Sequence, residues 1–349
     1  MAKILVPGGA GFIGSHTVAA LIGAGFEPLV LDNLSNGHRD SVCGVDVATD
    51  SAVRFIEGDI RDSDLLDRIF ADHQIDAVIH FAAFIEAGES VQNPLSFYEN
   101  NTAGSLSLLA AMQRASIKRI VFSSTAAVYG QPDGLAPLLE TLPKTPINPY
   151  GESKWAVECM LRDCAAAHGL QATALRYFNA AGSDPAGRFG ERHDPESHLI
   201  PLVLQAASGK RPNIKIFGTD YDTPDGTCIR DYVHVSDLAD AHVKALKFLQ
   251  ALPGDEKPGT ADGGAYKNAG FYDAYNLGTG RGFSVREVIE TAKAVTGIGF
   301  DVSEEARRPG DPPRLVANAD KAKTTFNWQP RFPLLEDMVA HAWAYLKDP

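Results

Sequence analysis

Three glycines at the end of the first apolar run constrain this chain more than any other feature. Lys3-Ile4-Leu5-Val6 is short and apolar and runs straight into Pro7-Gly8-Gly9-Ala10-Gly11-Phe12-Ile13-Gly14. The spacing Gly8-x-x-Gly11-x-x-Gly14, between a strand pattern and a helical one, fits a turn that presses backbone against a pyrophosphate. Gly8 permits the tight turn, Gly11 leaves room for the phosphates, and Gly14 lets the helix approach the sheet. The helix N-terminus adds N–H groups and partial positive charge. An ordinary strand–turn–helix could carry the same glycines, but here both flanking patterns are present. The next apolar run ends in Asp32-Asn33, about twenty residues on, where a carboxylate accepts ribose hydroxyls and repels a 2′-phosphate. Asp32 therefore favours NAD over NADP. Asp59, after the third run, is either a partner of the adenine amine or a solvated loop residue.

The pattern of the first half extends this reading. Residues 3–6, 28–31, 53–56, 77–80, 119–122 and 172–175 are short apolar runs without polar alternation, as buried parallel strands are. Helical spacing fills 15–24, 62–72, 95–115 and 150–168 between them. Strand alternating with helix predicts an α/β fold with a doubly wound parallel sheet. After about residue 180, Gly, Pro and Asp become frequent, and helical pieces stand alone at 201–208, 235–249 and 285–296. This predicts a smaller, loop-rich second lobe, with the amphipathic segment from 237 to 249 able to return to the first. Residues 253–272 read as an exposed glycine-rich loop, and 347–349 as a frayed end.

Composition excludes several classes. The net charge of −12 leaves no positive stripe for nucleic acid. No stretch reaches the ~20 apolar residues of a membrane span, and the N-terminus lacks the pattern of a secretory signal. Cys43, Cys159, Cys164 and Cys228 are scattered, as thiols of a reducing cytoplasm are. No His or Cys spacing suggests a metal.

Tyr150-Gly151-Glu152-Ser153-Lys154 opens a helical segment. Positions i and i+4 share a face, so a phenol and an ammonium can address one ligand. A nearby cation favours phenolate, which converts a poor base into a useful one. Tyr-x-x-x-Lys alone also occurs on surface helices. Here Ser123-Ser124-Thr125 closes the preceding strand and offers a hydroxyl to bridge phenol and substrate. Glycine turn, hydroxyl strand end and Tyr–Lys helix follow in order, and their conjunction is more specific than any member.

These residues resemble the extended short-chain dehydrogenase/reductase family and, within it, the UDP-glucose 4-epimerases. The resemblance covers nearly the whole chain: residues 8–14, 32–36, 58–61, 80–83, 88–91, 98–101, 122–130, 175–179 and 225–235. It implies a Rossmann domain for NAD over 1–180, with 233–250 returning to it, and a mainly UDP-sugar-binding lobe over 181–349. It implies Tyr150 as acid/base, Lys154 as its partner and Thr125 as the assisting hydroxyl. NAD would meet Gly8, Gly11, Phe12, Ile13, Gly14, Asp32, Asn33, Asn36, Asp59 and Ile60. Phe81, Ala82, Ala83, Asn100, Ser123 and Tyr177 would complete that site with Tyr150 and Lys154. The sugar nucleotide would meet Thr125, Phe178, Asn179, His198, Leu199, Lys215, Ile216 and Phe217. Arg230 and Arg308 would take its pyrophosphate, Asp311 its ribose, and Leu315 would border the sugar. The chain departs from the family at Pro7, where Thr is usual, and at Ile85, where a phosphate-facing Lys is frequent. His198 replaces a common Asn, and Leu315 a bulky Tyr that limits the C2 substituent.

The implied reaction is reversible C4 epimerisation of UDP-glucose and UDP-galactose through a 4-keto intermediate. Related 4,6-dehydratases place Asp-Glu directly after the strand-end Thr to expel water. Ala126-Ala127 stands there instead and cannot move protons. A UDP-xylose/UDP-arabinose epimerase, or added activity on UDP-N-acetylglucosamine, would need nearly the same motifs. A non-catalytic NAD-binding scaffold would not need both Tyr150 and Lys154. The family further implies a cytoplasmic homodimer, paired through the helices of 95–115 and 150–168.

Overall fold

The computed structural model describes residues 1–43, 53–132, 134–253, 270–308 and 311–347. Strands that bury every residue, as Ala77–His80 does, need cover on both faces. The chain supplies it by alternation: β1 (Lys3–Pro7), α1 (Phe12–Gly23), β2 (Glu27–Asp32), α2 (Asp40–Cys43), β3 (Arg54–Glu57), α3 (Ser63–Asp72) and β4 (Ala77–His80). Next come α4 (Ala87–Gln92), α5 (Pro94–Phe97), a π-helical turn (Tyr98–Ala103), α6 (Gly104–Arg114), β5 (Arg119–Thr125), α7 (Pro149–His168) and β6 (Gln171–Tyr177). The second half holds β7 (Asn179–Ala181), α8 (Leu199–Ala207), β8 (Asn213–Phe217), β9 (Ile229–His234), α9 (Val235–Ala251) and β10 (Phe271–Leu277). It closes with β11 (Gly282–Ser284), α10 (Val285–Thr296), β12 (Asp301–Glu305), β13 (Arg314–Leu315), α11 (Asp320–Phe326) and α12 (Leu335–Lys347).

Seven strands form one parallel sheet in the order β10-β6-β5-β4-β1-β2-β3. One face buries Val18, Leu21, Leu238, Leu246 and Trp328 under α1, α9 and α11; the other buries Leu66, Leu108, Met112 and Leu161 under α3, α6 and α7. Winding runs outward from β1 in both directions. The crevice between β1 and β4, at the carboxyl ends, is where such a sheet binds ligands. A second core gathers α8, α10 and α12 over β8 and β9, around Val203, Ile216, Val288 and Met338.

Four details differ from the sequence reading. The polar ending Ser123–Thr125 continues β5, because these hydroxyls are buried and Thr125 pairs with Tyr177. The loop expected over 253–272 ends earlier: Phe271 and Tyr272 begin β10, and 254–269 lie outside the described residues. Asp273 and Asn276 interrupt the apolar pattern of that strand and disguise it. The helix expected over 95–115 runs without interruption from 94 to 114, but the turn at Tyr98–Ala103 widens to the π form. Of the frayed end, Lys347 closes α12, and 348–349 lie outside the described residues.

α9 seals β5 and β6 on one side and α1 on the other, with Leu246 fully buried. Leu246→Ala is expected to cost about 3 kcal/mol, read as a lower denaturant midpoint at unchanged slope. Burial also holds four histidines below their ordinary value: His16 and His242 at about 4, His80 and His234 at about 3. Groups depressed in the folded state stabilise it above the unfolded value near 6.5, and lose that contribution as pH falls. Melting temperature is therefore expected to drop steadily from pH 7 to pH 4, and a flat profile there would contradict these neutral imidazoles.

Candidate active site

The glycine turn closes on itself. Gly8 has φ +79°, and a Cβ on it would lie 2.4 Å from the Ala82 nitrogen. A Cβ on Gly14 would lie 2.2 Å from the Gly8 carbonyl, whereas Gly11 meets only that oxygen, at 3.4 Å. Two glycines thus serve packing, and the third faces open space. Asp32 sits at the end of β2 and accepts from the backbone nitrogens of Ala10 (3.0 Å) and Leu34 (2.9 Å). Burial holds its carboxyl above the ordinary value. The turn opens a cleft with a cavity volume of about 260 Å³. Gly8, Gly11, Phe12, Ile13, Gly14, Asp32, Asn33, Asn36 and Ile60 line its β1–β2 side. Phe81, Ala82, Ala83, Asn100, Ser123, Thr125, Tyr150, Tyr177, Phe178, Asn179 and His198 line the rest, together with Ile85.

The Tyr150 helix starts where its sequence says it must. The Asn148 side chain accepts from the Gly151 nitrogen at 2.9 Å, and Pro149 occupies the first turn. Tyr150 is buried, and burial pushes its phenol up, while the nearby Thr125 hydroxyl acts the other way. Lys154 donates to the Ser123 carbonyl at 2.9 Å and lies 4.9 Å from the Phe122 ring centroid. Burial pulls this ammonium down to about 7. The sequence reading gave Lys154 the task of lowering the phenol. In the structure its contact is the strand carbonyl, and desolvation dominates both groups. Ser123 and Tyr177 share a hydroxyl contact of 2.8 Å at the cleft wall.

Other expected residues stand apart from the cleft. Asp59 is held by the Arg61 fork at 2.7 and 2.9 Å and by Asn33 at 2.9 Å, which keeps its carboxyl near 2. Lys215 pairs with Glu305 at 3.1 Å, and Leu199 packs on the second core. The Ile216 side chain is buried in that core, and its backbone pairs with Glu304 in β12. Arg230 is paired with Asp311, and the Arg308 guanidinium lies 3.9 Å over the Phe217 ring. Leu315 pairs with Arg230 in register and packs beside Phe178 on the cluster of Ala126, Val128 and Tyr129.

Three features escaped the sequence. Asn101, in the π-helical turn, donates to Ser153 and to the Phe84 carbonyl, and accepts from the Phe84 nitrogen. It ties the cleft loop to α7. Glu191, His193, Glu196 and His198 come within 4.8 Å of one another through their ligand atoms. Glu191 engages His193 at 3.0 Å and His198 at 2.8 Å, and Glu196 engages His198 at 3.1 Å. These hydrogen bonds account for the grouping; the two carboxylates oppose desolvation and raise His198 to about 11. Finally, Glu158 and Arg176 form an ion pair behind β5 with 0% and 3% side-chain exposure. Asn101, Glu158 and Arg176 were legible only as polar residues within elements, and the Glu191 grouping only as polar loop.

Comparison with known proteins agrees with this geometry. Residues 4–257 match the NAD dependent epimerase/dehydratase family. A UDP-glucose 4-epimerase of Halalkalibacterium halodurans is 50% identical over 99% of this chain and 96% of its own. The crystal structure of UDP-glucose 4-epimerase from Brucella ovis in complex with NAD is 44% identical, covers 98% of each chain and superposes with a TM-score of 0.88. That from Bifidobacterium longum, in complex with NAD+ and UDP, is 38% identical, covers 100% of this chain and 99% of its own, and has a TM-score of 0.89.

Gly14→Ala drives a methyl group against the Gly8 carbonyl and must open the turn. Dinucleotide released on denaturation is expected to fall at least about tenfold per folded chain, the loss following from a displaced phosphate site.

Proposed function

The chain belongs to the NAD dependent epimerase/dehydratase family, and on that footing we propose that it interconverts UDP-glucose and UDP-galactose by inverting C4 on tightly bound NAD. One observation carries the reading. Thr125 and the buried Tyr150 line the same cleft, and Ala126 and Ala127 follow Thr125, where a dehydrating relative needs two carboxylates.

The residues present fit NAD. Gly11 faces the cleft without a side chain, the first turn of α1 offers its N–H groups, and Asp32 lines the same space with its carboxylate. We assign Phe12, Ile13, Asn33, Asn36, Ile60, Phe81, Ala82, Ala83, Asn100, Ser123 and Tyr177 to its walls. When bound, oxidised NAD would supply reversible hydride acceptance at C4 and a positive charge that favours phenolate. Tyr150 takes the C4 hydroxyl proton and later restores it. Thr125 shares that proton's path and orients the hydroxyl. Lys154, held at the Ser123 carbonyl, fixes the ribose side of the cleft. The raised phenol supports a base that ionises only once the site is filled.

Inversion requires the sugar to turn while the nucleotide stays fixed. Lys215, Phe217, Arg230, Arg308 and Asp311 support a clamp on the far lobe. A pyrophosphate competes with Asp311 for Arg230 and leaves that carboxylate to the ribose hydroxyls. Phe178, Asn179, His198, Leu199, Ile216 and Leu315 complete the sugar side. Among the described residues no helix is long and apolar enough to cross a membrane. Exposed Val91, Leu95, Tyr98 and Leu106 along α4 to α6 support a homodimer through this face. The scattered thiols support a cytoplasmic setting.

Tyr150→Phe is expected to lower kcat by about 10² or more with NAD retained. The same assay should show UDP-galactose turned over faster than UDP-xylose. Near wild-type kcat in the variant would remove the mechanism, and inert UDP-galactose would move the assignment to a pentose substrate.

A further inference from the structure

No step above uses Glu158, yet it has no solvent exposure and lies one turn beyond Lys154. Its carboxylate gathers donors from three strands. Ser124 of β5 donates at 2.5 Å, Arg176 of β6 through Nε at 3.0 Å and Nη2 at 2.5 Å, and Tyr272 of β10 at 2.8 Å. Arg176 also reaches the Tyr129 hydroxyl at 2.9 Å, just past the strand end.

Position gives this cluster its meaning. Tyr150, Lys154 and Glu158 recur every four residues and share one face of α7. Ser124 stands between Ser123 and Thr125, and alternation turns its side chain to the opposite face of β5. Arg176 stands likewise next to Tyr177. The carboxylate therefore grips, from behind, the two strands that present hydroxyls to the cleft. We propose that Glu158 is a positioning residue, which sets the height of α7 over β5 and supplies the negative charge that keeps Lys154 an ammonium. The inference rests on the reading of Tyr150 as the base.

Stability alone does not explain the arrangement. A buried ion pair loses much of its attraction to desolvation, and apolar side chains of equal volume often serve as well. Placement is more demanding, since a shift of about 1 Å at reacting groups costs on the order of 10²-fold in rate. Charge points the same way. Burial pulls Lys154 down, and Glu158 is the group that opposes it. The other titratable groups around it are His80 of β4, kept neutral by burial, Tyr150 of α7, Tyr177 of β6, and Arg176 on the far side of Glu158.

The test uses NAD-loaded enzyme with Glu158→Gln, Glu158→Asp, Ser124→Ala and Tyr150→Phe. Measured are kcat, KM for UDP-glucose, retained NAD and the pH profile of kcat. Glu158→Gln should keep NAD and hold KM within about threefold while kcat falls about tenfold or more. Its alkaline limb should move to lower pH by about half a unit or more, because Lys154 then loses its proton earlier. Glu158→Asp should restore the limb, and Ser124→Ala should lower kcat without moving it. Wild-type kcat and an unmoved limb in folded Glu158→Gln overturn the proposal. So does a joint decline of kcat, KM and NAD with the limb in place. Should Glu158→Gln fail to fold, wild-type kcat in Ser124→Ala overturns it instead. Activity in Tyr150→Phe removes the base assignment and this inference with it; an inert Tyr150→Phe beside fully active Glu158→Gln removes this inference alone.

Discussion

The whole arrangement depends on a parallel sheet that must be covered on both faces. Parallel strands with apolar residues on each side cannot face water, so every connection crosses over with a helix. Winding outward from β1 in both directions sends neighbouring crossovers to opposite faces. A gap between them is then unavoidable at the carboxyl edge, and the glycine turn fills its floor. Gly8 and Gly14 are small because backbone already occupies the space a side chain would need. The cleft is thus a by-product of covering the sheet, sharpened by two missing methyl groups.

Much of this was legible from residue types. The glycine spacing, Asp32 at a strand end and the Tyr–Lys step depend on local geometry, which sequence carries directly. What escaped depends on partners distant in the chain. The apolar run of β5 stops at Phe122, and the pairing of Ser123–Thr125 shows only once Tyr177 and Glu158 are seen beside them. Phe271–Leu277 looks irregular until β6 lies along it. The family pattern supplied Ile216 and Asp59, but not that one is sunk in a core and the other taken by Arg61. The grouping of Glu191 with two histidines spans eight residues of loop, where spacing carries no period.

Burial, more than charge, organises the chemistry. The same dry surroundings push the Tyr150 phenol up and pull the Lys154 ammonium down, and the Glu158 charge opposes the second shift. A site of this kind stays chemically quiet until a ligand brings charge of its own. Opposed shifts in neighbouring groups are a recurring mark of acid–base sites. Here the opposition comes from one shared cause and needs no special pairing between the two residues.

The late arrival of β10 bears on how the chain is made. Residues up to 180 contain six of the seven strands, but β6 keeps an open edge until Phe271 has been synthesised, about ninety residues later. Until Ala251 has been made, the apolar surface reserved for α9 is also bare. At about 5–20 residues per second this exposure lasts several seconds on the ribosome. The two lobes cannot be divided by one cut, and a fragment ending near residue 180 would carry a sticky margin into solution.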